Sequence, residues 1–345
     1  MKTIHISASN AYDVLIGVNL LSEIGTHLKS VLGNVCKVAI VSDSNVFPLY
    51  GKQVTDTLNK TGFQVVSYIF PAGEASKNAN TYLSILNFLA SNQITRSDAV
   101  LALGGGVTGD ITGFVAATYL RGISYIQVPT TLLAMVDSSV GGKTAIDLPA
   151  GKNLVGAFYQ PKLVICDLNS LNTLSKDVFR DGCAEIIKYG VLYDTELFAH
   201  LKTYGPQFDR EIVISRCVEL KRNVVAEDEF DTGARQKLNF GHTIGHGVEA
   251  QSNFLITHGQ AVAIGMAIIT KAGCISIYPE LVSVLKTFGL PYSTEFTAKQ
   301  LFESALSDKK RSGCTVNLII PKAIGDCYIM PLDITKLESF IEEGL

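Results

Sequence analysis

Short apolar segments of strand length alternate with helical segments in the first half of the sequence, and this alternation restricts the fold most strongly. A segment that is apolar at nearly every position predicts a strand buried on both faces, as in a parallel sheet. Strands that alternate with helices predict parallel pairing with right-handed crossovers. The predicted strands are residues 35–41, 63–70, 98–103, 125–128 and 163–166, preceded by a hairpin within residues 3–16 that turns near Ser9 and Asn10, and a predicted helix spans residues 18–32.

The character of the sequence changes near Leu174, where strand patterns give way to helical ones. A chain of 345 residues is long enough for two domains. We therefore predict an α/β N-terminal domain with a mostly parallel, Rossmann-like sheet over residues 1–173. An all-α C-terminal domain is predicted over residues 174–345.

Composition and charge exclude several functional classes. Apolar residues make up 47% of the chain, which is enough for buried cores and excludes a largely disordered protein. The net charge of −3 does not favour nucleic acid binding. No apolar run reaches the roughly 18 residues that a membrane helix needs. The seven cysteines include no C-x-x-C pair, so we expect free thiols and a cytoplasmic location.

A glycine-rich turn follows the strand predicted at residues 98–103. Residues 104–109 read GGGVTG, which fits G-x-G-x-x-G between a strand and a helix. Glycines there let backbone N–H groups approach a pyrophosphate, and the helix N-terminus favours its negative charge. The alternative is a tight turn that packs helix against strand, since the pattern lies outside the first βαβ unit. Asp43, just past an earlier strand, is either a ribose ligand or a helix N-cap.

Three of the six histidines lie within residues 242–258, and this cluster predicts a metal site. His242 and His246 are four residues apart, so they share one face of a helix, and His258 follows closely. Three protein ligands with one open coordination position are typical of catalytic zinc. The alternative for two histidines at this spacing is a helix in which they are hydrogen-bonded without a metal.

Several charged residues lie in surroundings that favour ligand binding. Glu185 and Lys188 are three residues apart in an otherwise apolar stretch, where a carboxylate needs a partner or a metal, although surface ion pairs share this spacing. Lys143 and Lys152 are adjacent to glycines, which suits an anionic ligand but also occurs in surface turns. Residues 308–311, Asp-Lys-Lys-Arg, are interpreted on sequence grounds as a solvated loop.

Taken together, these segments resemble the 3-dehydroquinate synthases of the sugar-phosphate cyclase superfamily, over nearly the whole chain. Several long motifs in the same order are more specific than any one of them alone. The motifs are GGGVTGD at 104–110, PTT at 129–131, DSSVGGK at 137–143, GKN at 151–153, AEIIK at 184–188 and LNFGHTIGH at 238–246.

The resemblance implies a role for many individual residues. Zn²⁺ or Co²⁺ would be bound by Glu185, His242 and His258, and His246 would transfer protons. The other residues implied in catalysis are Lys188, Arg235, Asn239, Asp137 and Lys143. Asp231 stands where the family often has Glu, which leaves an acid–base role for this shorter side chain open.

The resemblance also implies sites for NAD and for an anionic sugar phosphate. The implied NAD contacts are Asp43, Asn45, Gly73, Glu74, Lys77, Gly105, Gly106, Val107, Thr108, Gly109, Asp110, Thr130, Thr131, Lys143, Lys152, Ser170, Leu171, Asn172 and Thr173. The implied substrate contacts are Arg121, Asp137, Lys143, Asn153, Lys188, Lys221, Arg235, Asn239, His258 and either Lys309 or Lys310. The basic residues among them are expected to converge on one anionic cleft between the domains.

The implied activity converts 3-deoxy-D-arabino-heptulosonate 7-phosphate to 3-dehydroquinate and phosphate, in the shikimate pathway of aromatic amino acid synthesis. It combines oxidation by a recycled NAD, phosphate elimination, reduction, ring opening and an aldol closure. We expect a homodimer without a nucleic acid or membrane partner. The alternatives are another sugar-phosphate cyclase, a metal- and NAD-dependent alcohol or glycerol dehydrogenase of the same fold, and a non-catalytic dinucleotide sensor with structural zinc.

Overall fold

The computed structural model describes residues 1–306, 311–312 and 315–345. They form two compact units, one of residues 1–174 and 221–230 and the other of residues 175–220 and 231–345. Segment 221–230 thus belongs to the first unit, although the sequence analysis assigned it to the helical domain. Among the described residues, we find no helix with the length and apolar character needed to cross a bilayer.

A mostly parallel sheet forms the centre of the first unit. The strands of this unit are β1 (Lys2–Ile6), β2 (Tyr12–Gly17), β3 (Lys37–Asp43), β4 (Gln64–Phe70), β5 (Ala99–Gly104), β6 (Ser124–Pro129), β7 (Lys143–Leu148), β8 (Gly151–Phe158) and β9 (Leu163–Asp167). Seven of them form one sheet in the order β1-β2-β9-β6-β5-β3-β4. β1 and β2 form an antiparallel hairpin, and the remaining pairs in this sheet are parallel. The prediction of a mostly parallel α/β sheet is confirmed.

The strand order reverses at β3, which has β4 on one side and β5 on the other. In open α/β sheets, ligands bind at the carboxyl ends of strands where the order reverses. Asp43 ends β3 and Gly104 ends β5, and the Ser42 hydroxyl donates a hydrogen bond to the carbonyl oxygen of Leu103 at 2.7 Å. The glycine-rich turn is therefore at the reversal point, although it is not in the first βαβ unit.

Helices cover the sheet of the first unit: α1 (Ile24–Leu32), α2 (Lys52–Lys60), α3 (Ala79–Ser91) and α4 (Gly106–Thr118). Two apolar clusters pack around the sheet, one including Ile40 and Leu101 and the other including Val41 and Val100. α1 begins later than predicted, because residues 20–22 form a 3-10 turn. The Asp167 carboxylate fixes this turn by accepting hydrogen bonds from the backbone N–H groups of Asn19 and Leu21.

The hairpin β7–β8 was not predicted; the glycines beside its Lys143 and Lys152 were interpreted as part of an anion site or of surface turns. β8 is mostly exposed and rich in glycine, so it lacks the alternation of a half-buried strand. Gly156 is required there, because an added Cβ would lie 2.1 Å from the carbonyl oxygen of Thr144 on the neighbouring strand. Close pairing of the two backbones thus explains a glycine that had suggested a turn.

The second unit is mainly helical, as predicted. Its helices are α5 (Lys176–Tyr193), α6 (Thr195–Tyr204), α7 (Arg210–Glu227, whose last residues belong to the first unit), α8 (His242–Gln251), α9 (His258–Gly273), α10 (Tyr278–Thr287), α11 (Ala298–Leu306) and α12 (Leu337–Gly344). α9 is buried from Ala261 to Thr270. A helix that is buried on every side lies in the middle of its unit.

The prediction that this part is all-α needs one correction. The second unit also contains a small antiparallel sheet of β10 (Arg311–Ser312), β11 (Thr315–Ala323) and β12 (Asp326–Asp333). β11 contains Leu318, Ile319 and Ile320, and the β-branched residues favour strand. Gly325, with φ of +86°, lies in the turn to β12. The sequence of β11 therefore has a strand pattern, but the pattern is short and follows a long helical region.

Glycines allow unusually close packing of α8 and α5 against α9. An added Cβ on Gly265 of α9 would lie 2.0 Å from the carbonyl oxygen of Gly241, and one on Gly245 would lie 2.9 Å from that of Ala261. An added Cβ on Gly259 would lie 2.4 Å from the Cα atom of Asp181 in α5. These contacts are with backbone atoms, which cannot rotate away. The two glycines of GHTIGH, Gly241 and Gly245, therefore serve the packing of α8 against α9.

We predict that Gly265→Ala destabilises the second unit by more than about 2 kcal/mol, because overpacking against rigid backbone forces the helices apart. Thermal unfolding of the purified chain measures the effect. Gly247→Ala in α8 is the matched control, since its tightest contact, with the Leu301 carbonyl oxygen, is 3.1 Å and alanine favours helix. Equal melting temperatures for the two variants would contradict the packing argument.

Candidate functional site

Glu185 is at the centre of the candidate metal site in the second unit. It lies in the middle of α5 and is 0% exposed, and Lys188 one turn later is 1% exposed. The Lys188 amine pairs with Oε2 of Glu185, while Oε1 faces two histidines. This is a buried pair, so the alternative of a surface ion pair is wrong. Each oxygen of the carboxylate has its own positively charged or metal-binding neighbour.

The two imidazoles that face Glu185 come from the first residues of α8 and α9. Nε2 of His242 lies 3.6 Å from Oε1 of Glu185, and Nε2 of His258 lies 3.4 Å from the same oxygen. A tetrahedral zinc ion separates its ligand atoms by roughly 3.3–3.6 Å, given metal–ligand bonds of about 2.0–2.2 Å. The three donor atoms lie within 4.8 Å of one another. This donor set fits zinc or cobalt.

The other ring nitrogen of each histidine also has an oxygen neighbour. Nδ1 of His242 is 3.1 Å from the carbonyl oxygen of Phe240, and Nδ1 of His258 is 3.6 Å from Oε1 of Glu249. Burial alone would lower the pKa of His258, but the carboxylates of Glu185 and Glu249 raise it to about 9. Surroundings that favour a positive charge on this ring also favour a metal cation, which binds the neutral imidazole.

His246 lies beside the three metal-site candidates. Its ring centroid is 5.7 Å from that of His242 and 6.3 Å from that of His258. It is partly exposed, and it belongs to a different donor group, with Glu249 and His258. Its position next to the site suits a group that exchanges protons with a bound substrate.

The start of α9 is anchored to α5. The Thr257 hydroxyl donates a hydrogen bond to Asp181, which lies one turn before Glu185, and Thr257 and Gln260 form a capping box. A helix N-terminus repels a cation, and a carboxylate at that point reduces the repulsion. Burial raises the pKa of Asp181. This anchor fixes the position of His258 relative to Glu185.

Other residues predicted for substrate binding are also in the second unit. Arg235 is 2% exposed in the 3-10 helix Ala234–Asn239, and Asn239 at its end is half-buried. Lys309 and Lys310 lie outside the described residues. That the basic residues bind one anionic ligand stays a prediction.

Asp43 is at the centre of the candidate nucleotide site in the first unit. One carboxylate oxygen accepts hydrogen bonds from the backbone N–H groups of Asn45 and Val46, and the other accepts one from the Thr108 hydroxyl at 3.2 Å. One oxygen of Asp43 therefore accepts backbone N–H groups as an N-cap residue does. That the other oxygen binds a ribose hydroxyl stays a prediction. Thr108 is fully buried, so its hydroxyl contacts Asp43 and not solvent.

The glycine-rich turn has members with different structural roles. Gly105 and Gly106 are partly exposed at the start of α4, as is Val107. Gly109 is buried, and an added Cβ would lie 2.8 Å from the side-chain oxygen of Gln127 on β6. Gly105 and Gly106 therefore leave the N-terminus of α4 accessible to a phosphate. Gly109 serves helix–strand packing, which was the alternative interpretation.

A buried lysine connects several of the predicted NAD contacts. The Lys77 amine lies 2.6 Å from Oδ2 of Asp110 and 2.5 Å from Oδ1 of Asn153. Burial alone would lower the pKa of Lys77, but the carboxylates of Asp110 and Glu74 raise it. The amine is therefore charged and held in place. Lys152 is 3.9 Å from the Glu74 carboxylate.

Two predicted substrate contacts, Asp137 and Lys221, bind each other. The Lys221 amine is 2.6 Å from both the carboxylate Oδ1 and the carbonyl oxygen of Asp137. Lys221 is 5% exposed. Its role as a substrate contact stays a prediction, and the observed contact fixes the first residue of segment 221–230 within the first unit.

The remaining predicted residues of the first unit lie near strand ends or on the surface. The Thr130 backbone N–H donates to the carbonyl oxygen of Gly104 at 2.9 Å, and Thr131 accepts a hydrogen bond from the Ala134 N–H. Arg121 and Lys143 are exposed, and Gly73 has a φ of +113° that favours glycine. Ser170, Leu171, Asn172 and Thr173 belong to the 3-10 helix Leu168–Thr173.

Two residues at these sites were not predicted from the sequence. The Tyr50 hydroxyl is 2.5 Å from Oγ1 of Thr173 and 3.2 Å from the carbonyl oxygen of Ser170, and no local pattern indicated this long-range contact. Glu249 lies next to His258 and is 3% exposed. Its spacing from His242 and His246, seven and three residues, would have indicated a shared helix face.

Comparison with known proteins identifies the family. The family model "3-dehydroquinate synthase N-terminal" matches residues 67–181, and "3-dehydroquinate synthase C-terminal" matches residues 182–311. The chain is 43% identical to a 3-dehydroquinate synthase of Clostridium acetobutylicum, covering 95% of this chain and 96% of that protein. It is 42% identical to one of Enterococcus faecalis, covering 96% of each.

A solved structure extends the comparison to the fold. The crystal structure of 2-deoxy-scyllo-inosose synthase, complexed with carbaglucose-6-phosphate, NAD⁺ and Co²⁺, matches with a TM-score of 0.88 at 25% identity and covers 100% of both chains. The two family models together match residues 67–311, which include parts of both units. The two sequence relatives match at more than 40% identity over nearly their full lengths. The chain therefore belongs to the 3-dehydroquinate synthase family.

Proposed function

We propose that this chain converts 3-deoxy-D-arabino-heptulosonate 7-phosphate to 3-dehydroquinate and inorganic phosphate with NAD and a divalent metal ion, zinc or cobalt. The observation that carries the proposal is the donor set of Glu185, His242 and His258, in a chain that matches a 3-dehydroquinate synthase over 95% of its length. The solved relative with NAD⁺ and Co²⁺ supports the choice of cofactors.

The residues of the second unit would hold the metal ion and move protons. When bound, the metal lowers the pKa of a substrate hydroxyl and NAD accepts and returns a hydride. Glu185, His242 and His258 would supply three ligands and leave a position for substrate. His246 would exchange a proton with substrate, and the buried charge of Lys188 would stabilise negative charge that develops nearby.

The residues of the first unit would bind the dinucleotide. Backbone N–H groups at the start of α4, beside Gly105 and Gly106, would face the pyrophosphate. The oxygen of Asp43 that faces Thr108 would accept a hydrogen bond from a ribose hydroxyl. Lys77, whose charge is held by Asp110, would add positive charge near the phosphates.

We predict that metal removal abolishes activity and that the two kinds of histidine respond differently to alanine. His258→Ala removes a ligand, so metal content falls from one ion per chain towards zero. His246→Ala retains the metal but lowers kcat by about 10²–10⁴-fold, the usual contribution of a general acid or base. Metal analysis by mass spectrometry and steady-state assays measure both effects.

Two results would contradict this assignment. One is full activity in protein treated with a chelator and shown to contain no metal. The other is a metal-free His246→Ala protein together with a fully loaded His258→Ala protein. Addition of Zn²⁺ or Co²⁺ to the chelated wild-type chain is the control, because it should restore activity.

We predict that one inorganic phosphate is released per turnover without lasting accumulation of NADH. A cyclase that returns the hydride has no net redox change, whereas a dehydrogenase forms one NADH per product. A phosphate assay and absorbance at the NADH wavelength, recorded on the same reaction, separate the two activities.

Three outcomes would count against the proposal. NADH that accumulates in step with product would favour the alcohol or glycerol dehydrogenase. Phosphate release without bound or added NAD would indicate a simple phosphatase. Phosphate release with NAD, but from a different sugar phosphate in preference to the heptulosonate, would identify another sugar-phosphate cyclase.

We also propose a homodimer in the cytoplasm, for which the family resemblance is the support. The cysteines of the described part of the chain are free, as a reducing compartment requires. Light scattering of the purified protein should give about twice the chain mass of 37.2 kDa. A mass equal to that of one chain, across micromolar concentrations, would refute the dimer.

A further inference from the structure

Glu249 is a buried carboxylate that the assignments above leave without a role. It lies on α8, three residues after His246 and seven after His242, so the three side chains share one helix face. Its exposed fraction is 3%. A carboxylate loses much hydration on burial, so such a position is stable only beside polar or positively charged groups.

The ring of His258 lies between two carboxylates, one at each nitrogen. Nε2 is 3.4 Å from Oε1 of Glu185, and Nδ1 is 3.6 Å from Oε1 of Glu249. The second distance is an ion-pair distance slightly longer than a hydrogen bond. Hydrogen bonds at active sites commonly shorten when the ligand binds. The two nitrogens of this ring therefore have separate neighbours.

His242 has the same division between its two nitrogens. Its Nε2 faces Glu185 at 3.6 Å, and its Nδ1 is 3.1 Å from the carbonyl oxygen of Phe240. In both rings an oxygen atom next to Nδ1 favours a proton there, which leaves the lone pair of Nε2 on the side of Glu185. Ligating histidines usually make such a contact, and it fixes both the tautomer and the ring orientation.

We propose that Glu249 is a positioning residue of the metal centre, which accepts the Nδ1 proton of His258 and so directs Nε2 to the ion. The inference rests on the proposed metal-dependent function. A carboxylate is a stronger acceptor than the carbonyl that faces His242. Glu249 thus makes His258 the more basic ligand and adds negative charge near the cation. It touches neither substrate nor metal in this role.

A purely structural role for Glu249 leads to a different expectation. If its carboxylate only stabilised the packing of α8 and α9, substitution would lower the stability of the metal-free chain and leave metal affinity unchanged. If the ion instead bound the other donor group, His246, Glu249 and His258, then His242→Ala would retain the metal. Metal affinity, together with the stability of the metal-free protein, separates these cases.

The test compares Glu249→Gln and Glu249→Leu with wild type, as full-length chains. Competition with a chromogenic chelator measures zinc affinity and release rate, and the visible spectrum of Co²⁺-loaded protein reports ligand geometry. We expect Glu249→Leu to weaken metal binding by about 10–100-fold, the usual effect of losing such a partner. Glu249→Gln keeps an acceptor oxygen and the side-chain shape, so its loss should be smaller.

Glu280→Gln is the matched control. Glu280 lies on α10 in the same unit, and its exposed carboxylate pairs with Lys202 at 2.8 Å. This substitution removes the same charge from a residue that belongs to neither candidate donor group, so metal affinity should stay within about twofold of wild type. Thermal unfolding of the metal-free variants reports packing effects separately.

The results distinguish failure of the inference from failure of the proposed function. Wild-type protein that binds no metal would overturn the proposed metal centre, and the role of Glu249 with it. Wild-type protein that binds metal, with unchanged affinity and release rate in Glu249→Leu, would overturn the inference alone. Retention of metal in His242→Ala, with loss in Glu249→Leu, would also overturn it, because the ion would then occupy the other donor group.

Discussion

The close packing of α5 and α8 against α9 is the constraint on which the candidate metal site depends. Each of these helices supplies one donor side chain, and their separation is set by backbone contacts at Gly259, Gly245 and Gly265. A methyl group at any of these positions would push two helices apart. Separations of 3.4 and 3.6 Å between donor atoms tolerate little such movement. Residues without functional groups thus determine the geometry of those that have them.

Electrostatics explains why the buried Glu185 needs this arrangement. Its neighbours in α5, Ile186 and Ile187, are fully buried, so the carboxylate has little hydration of its own. Low polarity makes an unpaired charge costly and strengthens attraction to a cation. Lys188 compensates the charge at one oxygen, and the other oxygen faces the two imidazoles. A divalent ion at that point would complete the compensation and leave net positive charge for an anionic substrate.

Sequence patterns predicted the parallel sheet and a metal site near the histidine cluster, because buried strands and clustered histidines leave local signals. The choice of Glu185, His242 and His258 as the donors came from the family resemblance. Sequence patterns did not predict the hairpin β7–β8, since its glycines serve close strand pairing, nor the small sheet that includes β11. Spacing alone could place Glu249 on the face of His242, but only the tertiary contact with His258 indicates its role. The glycines of GHTIGH illustrate the same limit, because their packing partners on α9 are distant in sequence.

X-ray absorption spectroscopy of the zinc-loaded chain tests the central claim most directly, because it reports the atoms bound to the ion. We expect two imidazole nitrogens and a carboxylate oxygen at about 2.0–2.2 Å and no sulfur at about 2.3 Å. A spectrum with one histidine or none in the wild-type protein, or with a sulfur ligand, would contradict the claim that α5, α8 and α9 assemble this site.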